Sequence, residues 1–142
     1  MREVRSNERP VALVAEDDYQ IRALLVALIE REGFEVVNAC NGTEALNICK
    51  DHSDLAVLLT DGDLGSGPNG IQIAEFLLKE RPSVAILIIS GTPAVGTQAA
   101  ERHLEFLQKP FMIRELSERV KKLMDSIIPM QSEKRLHNKM TS

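Results

Sequence analysis

Asp61 closes the apolar run Leu55-Ala56-Val57-Leu58-Leu59-Thr60, and three other apolar runs of the chain also end in groups able to do chemistry. Val11-Ala12-Leu13-Val14-Ala15 ends in Glu16-Asp17, Val84-Ala85-Ile86-Leu87-Ile88-Ile89 in Ser90, and Leu104-Glu105-Phe106-Leu107-Gln108 in Lys109-Pro110. Short continuous apolar runs are the mark of strands buried on both faces of a parallel sheet, and ligands of such sheets gather beyond the carboxyl ends of the strands. As neighbouring parallel strands, the four runs bring three carboxylates, a hydroxyl and an ammonium to one spot. Taken singly, each group has an ordinary reading: an Asp at a strand end caps a helix or forms a turn, and a Lys before Pro is a solvated loop residue. Asp18 itself reads mainly as a helix cap. Independent ordinary events rarely coincide at four strand ends, so the joint placement carries the weight.

The elements that must position these groups alternate along the chain. After the first strand, Ile21, Leu24, Leu25, Leu28 and Ile29 recur at helical spacing, with Asp18 placed to cap and Gly33 to stop the helix. A second strand is predicted over 34–40, then a turn at Asn41-Gly42 and a short helix over 43–50. The third strand, 55–60, leads into the loop 62–70, whose four Gly and one Pro forbid regular structure. A helix over 71–80 ends at Arg81-Pro82, strand four spans 84–89, and a weak helix over 94–102 contains Gly96. Strand five, 104–108, precedes a last helix marked by Ile113, Leu116, Val120, Leu123 and Ile127. Beyond Pro129 the chain is polar and reads as disordered. The pattern is (βα)5, and right-handed crossovers predict a doubly wound α/β parallel sheet, flavodoxin-like, in strand order 2-1-3-4-5. That order makes the four strands that end in chemistry adjacent. The expected divisions are an N-terminal extension over 1–9, one domain over 10–127 and a tail over 128–142.

The chain has 142 residues and a formal charge of −4, with both ends basic, so residues 10–128 hold 11 basic against 18 acidic residues, a net of −7. An acidic body argues against direct nucleic-acid binding, which needs a basic face, and suits a cation site. No apolar run reaches the roughly 18 residues of a membrane span, and the charged start lacks a signal-peptide core, so the expected location is cytoplasmic. Cys40 and Cys49 lack metal-ligand spacing and read as buried reduced thiols.

The residues Leu13-Val14-Ala15-Glu16-Asp17-Asp18, Leu58-Leu59-Thr60-Asp61, Pro68-Asn69-Gly70, Ile88-Ile89-Ser90-Gly91 and Phe106-Leu107-Gln108-Lys109-Pro110-Phe111 resemble the receiver domains of bacterial two-component response regulators. The resemblance covers about residues 10–127. It implies that Asp61 accepts a phosphoryl group from a histidine kinase or histidine phosphotransfer protein. It further implies that Glu16 and Asp17 organise Mg2+, with Mn2+ as a substitute, and that Asp61 and the backbone carbonyl of Asp63 help to hold the ion. Ser90 matches the switch hydroxyl, Lys109 the family's lysine and Phe106 the aromatic switch position. The residue types suit that work, because Mg2+ is a hard ion held by one or two carboxylates plus phosphate oxygens and phosphoryl transfer is mostly positioning and charge neutralisation. Hydrogen bonding of Ser90 to an aspartyl phosphate would draw it inward and open space for Phe106.

The resemblance points to a single-domain response regulator that signals through a protein target. No turnover is implied beyond its own phosphorylation and dephosphorylation. Its output surface, and the face of any weak dimer, would be the fourth helix, the fifth strand and the last helix. Gly62 replaces a larger apolar residue usual in the family, which predicts a mobile loop, and Asp63 adds a carboxylate facing the site. An alternative reading takes Asp61-Gly62-Asp63 as the Asp-x-Asp strand end of haloacid-dehalogenase-like phosphohydrolases, with Asp61 as nucleophile and Asp63 as general acid. Those enzymes carry the motif on their first strand, whereas here it follows the third.

Overall fold

The computed structural model describes residues 9–141, with side chains over 9–127. Ten elements alternate: β1 (Val11–Ala15), α1 (Tyr19–Arg31), β2 (Glu35–Ala39), α2 (Gly42–Asp51), β3 (Leu55–Asp61), α3 (Gly70–Glu80), β4 (Ala85–Ser90), α4 (Pro93–Glu101), β5 (Glu105–Gln108) and α5 (Ile113–Thr141). The strands form one parallel sheet in the order β2-β1-β3-β4-β5, as the alternation predicts.

Both faces of the sheet are covered, and side-chain alternation along each strand divides the core in two. Leu13, Ala15, Leu58, Ile86 and Ile88 pack with Ala45, Ile73, Leu77, Val95 and Ala99 of α2, α3 and α4. Ala12, Val14, Val57, Leu59, Leu87 and Ile89 pack with Leu25 and Ile29 of α1 and with Leu116, Val120 and Leu123 of α5. Burying a Leu or Ile side chain stabilises by about 1.5–3 kcal/mol, so these two layers hold the strand ends in place.

Helix starts follow from local chemistry. Asp18 caps α1 by accepting from the Ile21 amide, and Asn41 caps α2 by accepting from Glu44. At α3, Asn69 and Gln72 form a reciprocal capping box. Asn41-Gly42 is therefore a helix start rather than a free turn. Helix α4 begins one residue earlier than its apolar pattern predicts, because Pro93 at its first position presets the helical φ.

Helix α5 spans Ile113–Thr141, and the side chains of the tail expected over 128–142 lie outside the described residues. One expectation is corrected. Ile113, read as part of the apolar stripe, is 60% exposed, since the first turn of α5 lies outside the packed stretch that starts at Leu116. The extension over 1–8 lies outside the described residues. No described helix is long and apolar enough to cross a membrane.

Candidate functional site

The carboxyl ends of β1, β3, β4 and β5 lie side by side, and the sheet delivers their terminal groups to one cleft. Glu16 follows β1 and is held by the amide of its own residue, which donates to Ala39 O at 3.0 Å. Its carbonyl accepts from Arg22 Nη1 at 2.8 Å, which ties the loop down onto α1. Asp61 ends β3 and is buried, and Gly62 after it donates to Ile89 O of β4 at 2.9 Å. Lys109 follows β5, with its amide donating to Ser90 O at 2.9 Å. The peptide bond from Lys109 to Pro110 is cis.

Lys109 links the ends of β1 and β3. Its Nζ donates to Glu16 Oε1 at 2.8 Å and to Asp61 Oδ2 at 2.9 Å. Carboxylate oxygens of Glu16, Asp17 and Asp61 lie within 4.8 Å of one another, the spacing of ligands around one cation. The set fits a hard divalent ion: all donors are oxygen, and three carboxylates against one ammonium leave negative charge to be neutralised. Asp17 is exposed and Glu16 almost fully buried, so solvent and an incoming ligand reach the cluster from the Asp17 side. Burial pushes the Glu16 carboxyl up to about 7; Asp61 and Asp17 add to the rise, against the opposing Lys109 hydrogen bond. Burial alone would lower the Lys109 ammonium, but its bonds to Glu16 and Asp61 outweigh that and raise it above the ordinary lysine range.

Ser90 is buried at the end of β4 and accepts from the Thr92 amide at 3.1 Å. That bond occupies a lone pair of Oγ and leaves the Ser90 proton available to an acceptor in the cleft. Phe106 pairs with Ile88 in the β4–β5 register, and Ser90 pairs with Gln108. Side chains two apart on a strand share a face, so Ser90 and Phe106 lie on the α4 side of the sheet, two register positions apart. Gly96 of α4 explains itself here, because a Cβ on it would come within 3.0 Å of Phe106 Cε1.

Asp63 donates its amide to Asp61 Oδ1 at 3.1 Å, while its carboxylate turns to Thr92 Oγ1 at 3.2 Å. The loop after Asp61 is tied at several points, contrary to the mobility that Gly62 predicts. Val95 fills the place of a side chain at 62, Leu64 is buried, and Ser66 O accepts from the Gly42 and Thr43 amides of α2. Thr92, Val95 and Arg22 were not legible as site residues. The one available signal was Thr92-Pro93, a helix start directly after a strand that ends in Ser90.

Of the two cysteines, Cys49 is buried and its thiol is pushed up to about 11 by burial, but Cys40 is exposed, a correction. Cys40 follows edge strand β2, in the turn that leads into α2. Its thiol donates to Glu44 Oε2 at 3.3 Å, which raises it above the usual thiol value.

The chain belongs to the response regulator receiver family: the sequence model of the response regulator receiver domain matches residues 12–121. The response regulator receiver protein CpdR of Brucella abortus (strain 2308) is 31% identical over 115 residues, which is 79% of this chain and 94% of that protein. A CheY-like receiver domain protein of Methanospirillum hungatei JF-1 superposes with a TM-score of 0.73 at 23% identity, covering 85% of this chain and 98% of that one, and shows the shared fold. A response regulator of Burkholderia pseudomallei, solved with a phosphorylated aspartic acid, calcium ion and citrate, gives a TM-score of 0.67 at 25% identity over 91% of this chain and 75% of its own. The chain spans only 21–22% of the length of other curated relatives that it matches. Family membership removes the phosphohydrolase alternative, and the Asp63 carboxylate bonded to Thr92 has no need of that role.

Proposed function

We propose that this chain is a phosphorylatable switch in which Asp61 accepts a phosphoryl group from a phosphohistidine of a kinase or phosphotransfer protein. The observation that carries the reading is the meeting of Glu16, Asp17, Asp61 and Lys109 at the carboxyl ends of β1, β3 and β5. An Asp61 oxygen forms the new P–O bond as the P–N bond of the donor breaks, its electron pair returning to the ring nitrogen. Lys109, bonded to the other side of the carboxylate, is placed to follow charge onto a phosphoryl oxygen as a compact point charge. Ser90 donates a hydrogen bond to a second phosphoryl oxygen. In hydrolysis a water oxygen replaces Asp61 on phosphorus, inorganic phosphate leaves and the carboxylate is restored.

Mg2+ is the ion the site would take, with Mn2+ as a substitute, held by Glu16, Asp17, Asp61 and the carbonyl of Asp63. When bound, it neutralises charge on the transferring group. Glu16 and Asp17 contribute by fixing the ion beside Asp61, and Glu16 by keeping Lys109 aimed at the cleft.

The donor is read as a protein because exposed apolar side chains flank the loops that bear the site. Tyr19 is 74% exposed and Met112 68%, next to Asp17-Asp18 and Lys109-Pro110 respectively. Apolar side chains at the rim of a charged cleft favour protein contact. Output would pass through α4, β5 and α5 to a protein target in the cytoplasm, and the same face would carry any weak self-association. Incubation with acetyl phosphate and Mg2+ tests the reaction, and a phosphotransfer profile against candidate kinases tests the donor. Absence of a phosphorylated form under both would reject the reading.

A further inference from the structure

Thr92 is the N-cap residue of α4, from which a side-chain oxygen ordinarily accepts from an amide two or three residues on. No such bond is made, although Asp18, Asn41 and Asn69 all cap their helices in that way. The Thr92 hydroxyl instead donates to Asp63 Oδ2 at 3.2 Å, and its amide donates to Ser90 Oγ at 3.1 Å. Asp63 in turn bonds Asp61 Oδ1 through its amide at 3.1 Å. Three hydrogen bonds thus run from Asp61 through Asp63 and Thr92 to Ser90, bridging the ends of β3 and β4.

Gly62 permits the bridge. A Cβ on residue 62 would stand 2.7 Å from Val95 Cγ1 and 3.2 Å from Ser90 Cβ, so a bare backbone is what lets the first turn of α4 close on the loop after β3. While it donates to Asp63, Thr92 Oγ1 accepts from no α4 amide.

We propose that Thr92 is a positioning residue with two alternative partners: it holds the Asp63 carboxylate while Asp61 is bare, and it caps α4 once a phosphoryl group on Asp61 repels that carboxylate. The inference rests on Asp61 being the phosphoacceptor. A phosphoryl group brings up to about two negative charges to a residue bonded directly to Asp63. Repulsion at that range weakens the Asp63–Thr92 bond and frees the hydroxyl. The released cap orders the first turn of α4 by a route separate from the movement of Ser90 and Phe106, and a side-chain cap changes local opening by about five-fold.

Amide hydrogen exchange at Ala94, Val95 and Gly96 tests the first half in unphosphorylated protein. Asp63→Ala should slow exchange at these amides about five-fold. Asp63→Asn, which keeps an acceptor oxygen, should leave it at the wild-type rate, and adding Thr92→Val to Asp63→Ala should abolish the slowing. Unchanged exchange in Asp63→Ala, or slowing that survives loss of the hydroxyl, overturns the proposal. The second half is tested with acetyl phosphate and Mg2+, with labelling followed by intact mass. Wild type should slow at the same amides on labelling, and Thr92→Val should be labelled without slowing. Equal slowing in labelled Thr92→Val overturns the proposal and leaves the phosphoacceptor intact, whereas a wild type that takes no label defeats the functional reading while the unphosphorylated variants still report on the Thr92 exchange of partners.

Discussion

Lys109 Nζ lies 2.9 Å from Asp61 Oδ2, so the ammonium that ends β5 is bonded directly to the carboxylate that ends β3. The same nitrogen bonds Glu16, which makes Lys109 both a partner of the phosphoacceptor and the counter-charge of a buried acid. Replacing it with Met removes a positive charge from beside the cation site and from the path of the phosphoryl group. Mg2+ affinity should hold or rise in Lys109→Met while the labelling rate falls at least about ten-fold, equivalent to about 1.4 kcal/mol of transition-state stabilisation. Parallel loss of both Mg2+ binding and labelling would assign Lys109 a merely structural role.

Glu16 gives the site a defined pH dependence. In the folded, metal-free protein its carboxyl sits at about 7, raised by burial, against an ordinary value of 4.5. The folded state therefore binds the proton more tightly than the unfolded state, so this contribution to stability is full below about pH 4.5 and is lost as pH rises through about 7. The loss is on the order of 3 kcal/mol. Denaturation of the metal-free protein at pH 5 and pH 8 measures it, and Glu16→Gln should flatten the difference. A bound cation favours the charged carboxylate, so Mg2+ affinity should weaken as pH falls below about 7.

Asp17 and Glu16 should separate in experiment although they are neighbours. Asp17 is exposed, so Asp17→Asn should change stability by no more than about 0.5 kcal/mol and still weaken Mg2+ binding strongly. Removing Asp17 is expected to cost more metal affinity than removing Glu16. Calorimetric titration of the two variants decides the order.

Gly62 and Gly96 both face other side chains, with opposite expected outcomes. Gly62→Ala drives a Cβ to 2.7 Å from Val95 in a closed contact and should destabilise by about 1–3 kcal/mol while displacing α4. Gly96→Ala meets the edge of Phe106 at 3.0 Å, and that ring is only partly buried and can shift. The gain in helix propensity, up to about 1 kcal/mol, should make it neutral or stabilising. Urea denaturation of both variants checks the contrast.

Asp63 is expected to set the lifetime of the phosphorylated state, since its carboxylate, held by Thr92 while Asp61 is bare, is released beside the phosphoryl group. A screened effect of about 1 kcal/mol changes a rate roughly five-fold. Autodephosphorylation of wild type, Asp63→Asn and Asp63→Ala is the check, and lifetimes within two-fold of each other would remove Asp63 from the kinetics.

Strand ends were the legible part of this molecule, because a buried parallel strand writes its length as an apolar run and its terminal residue is fixed by where that run stops. Glu16, Asp61, Ser90 and Lys109 were read in this way, and the sheet order sets the strand ends that carry them side by side. Thr92 was not, since its hydrogen bond to Asp63 spans two loops whose approach depends on Gly62 and Val95, and no local pattern encodes a missing Cβ opposite a branched side chain. Gly96 looked like a defect in a weak helix until Phe106 supplied its reason.

The central claim is that Asp61 is the phosphoacceptor, and intact-mass analysis of wild type and Asp61→Asn after incubation with acetyl phosphate and Mg2+ tests it most directly. Wild type should gain one phosphoryl group that is lost in base and in excess chelator is never acquired, and Asp61→Asn should gain none. Full labelling of Asp61→Asn would contradict the assignment.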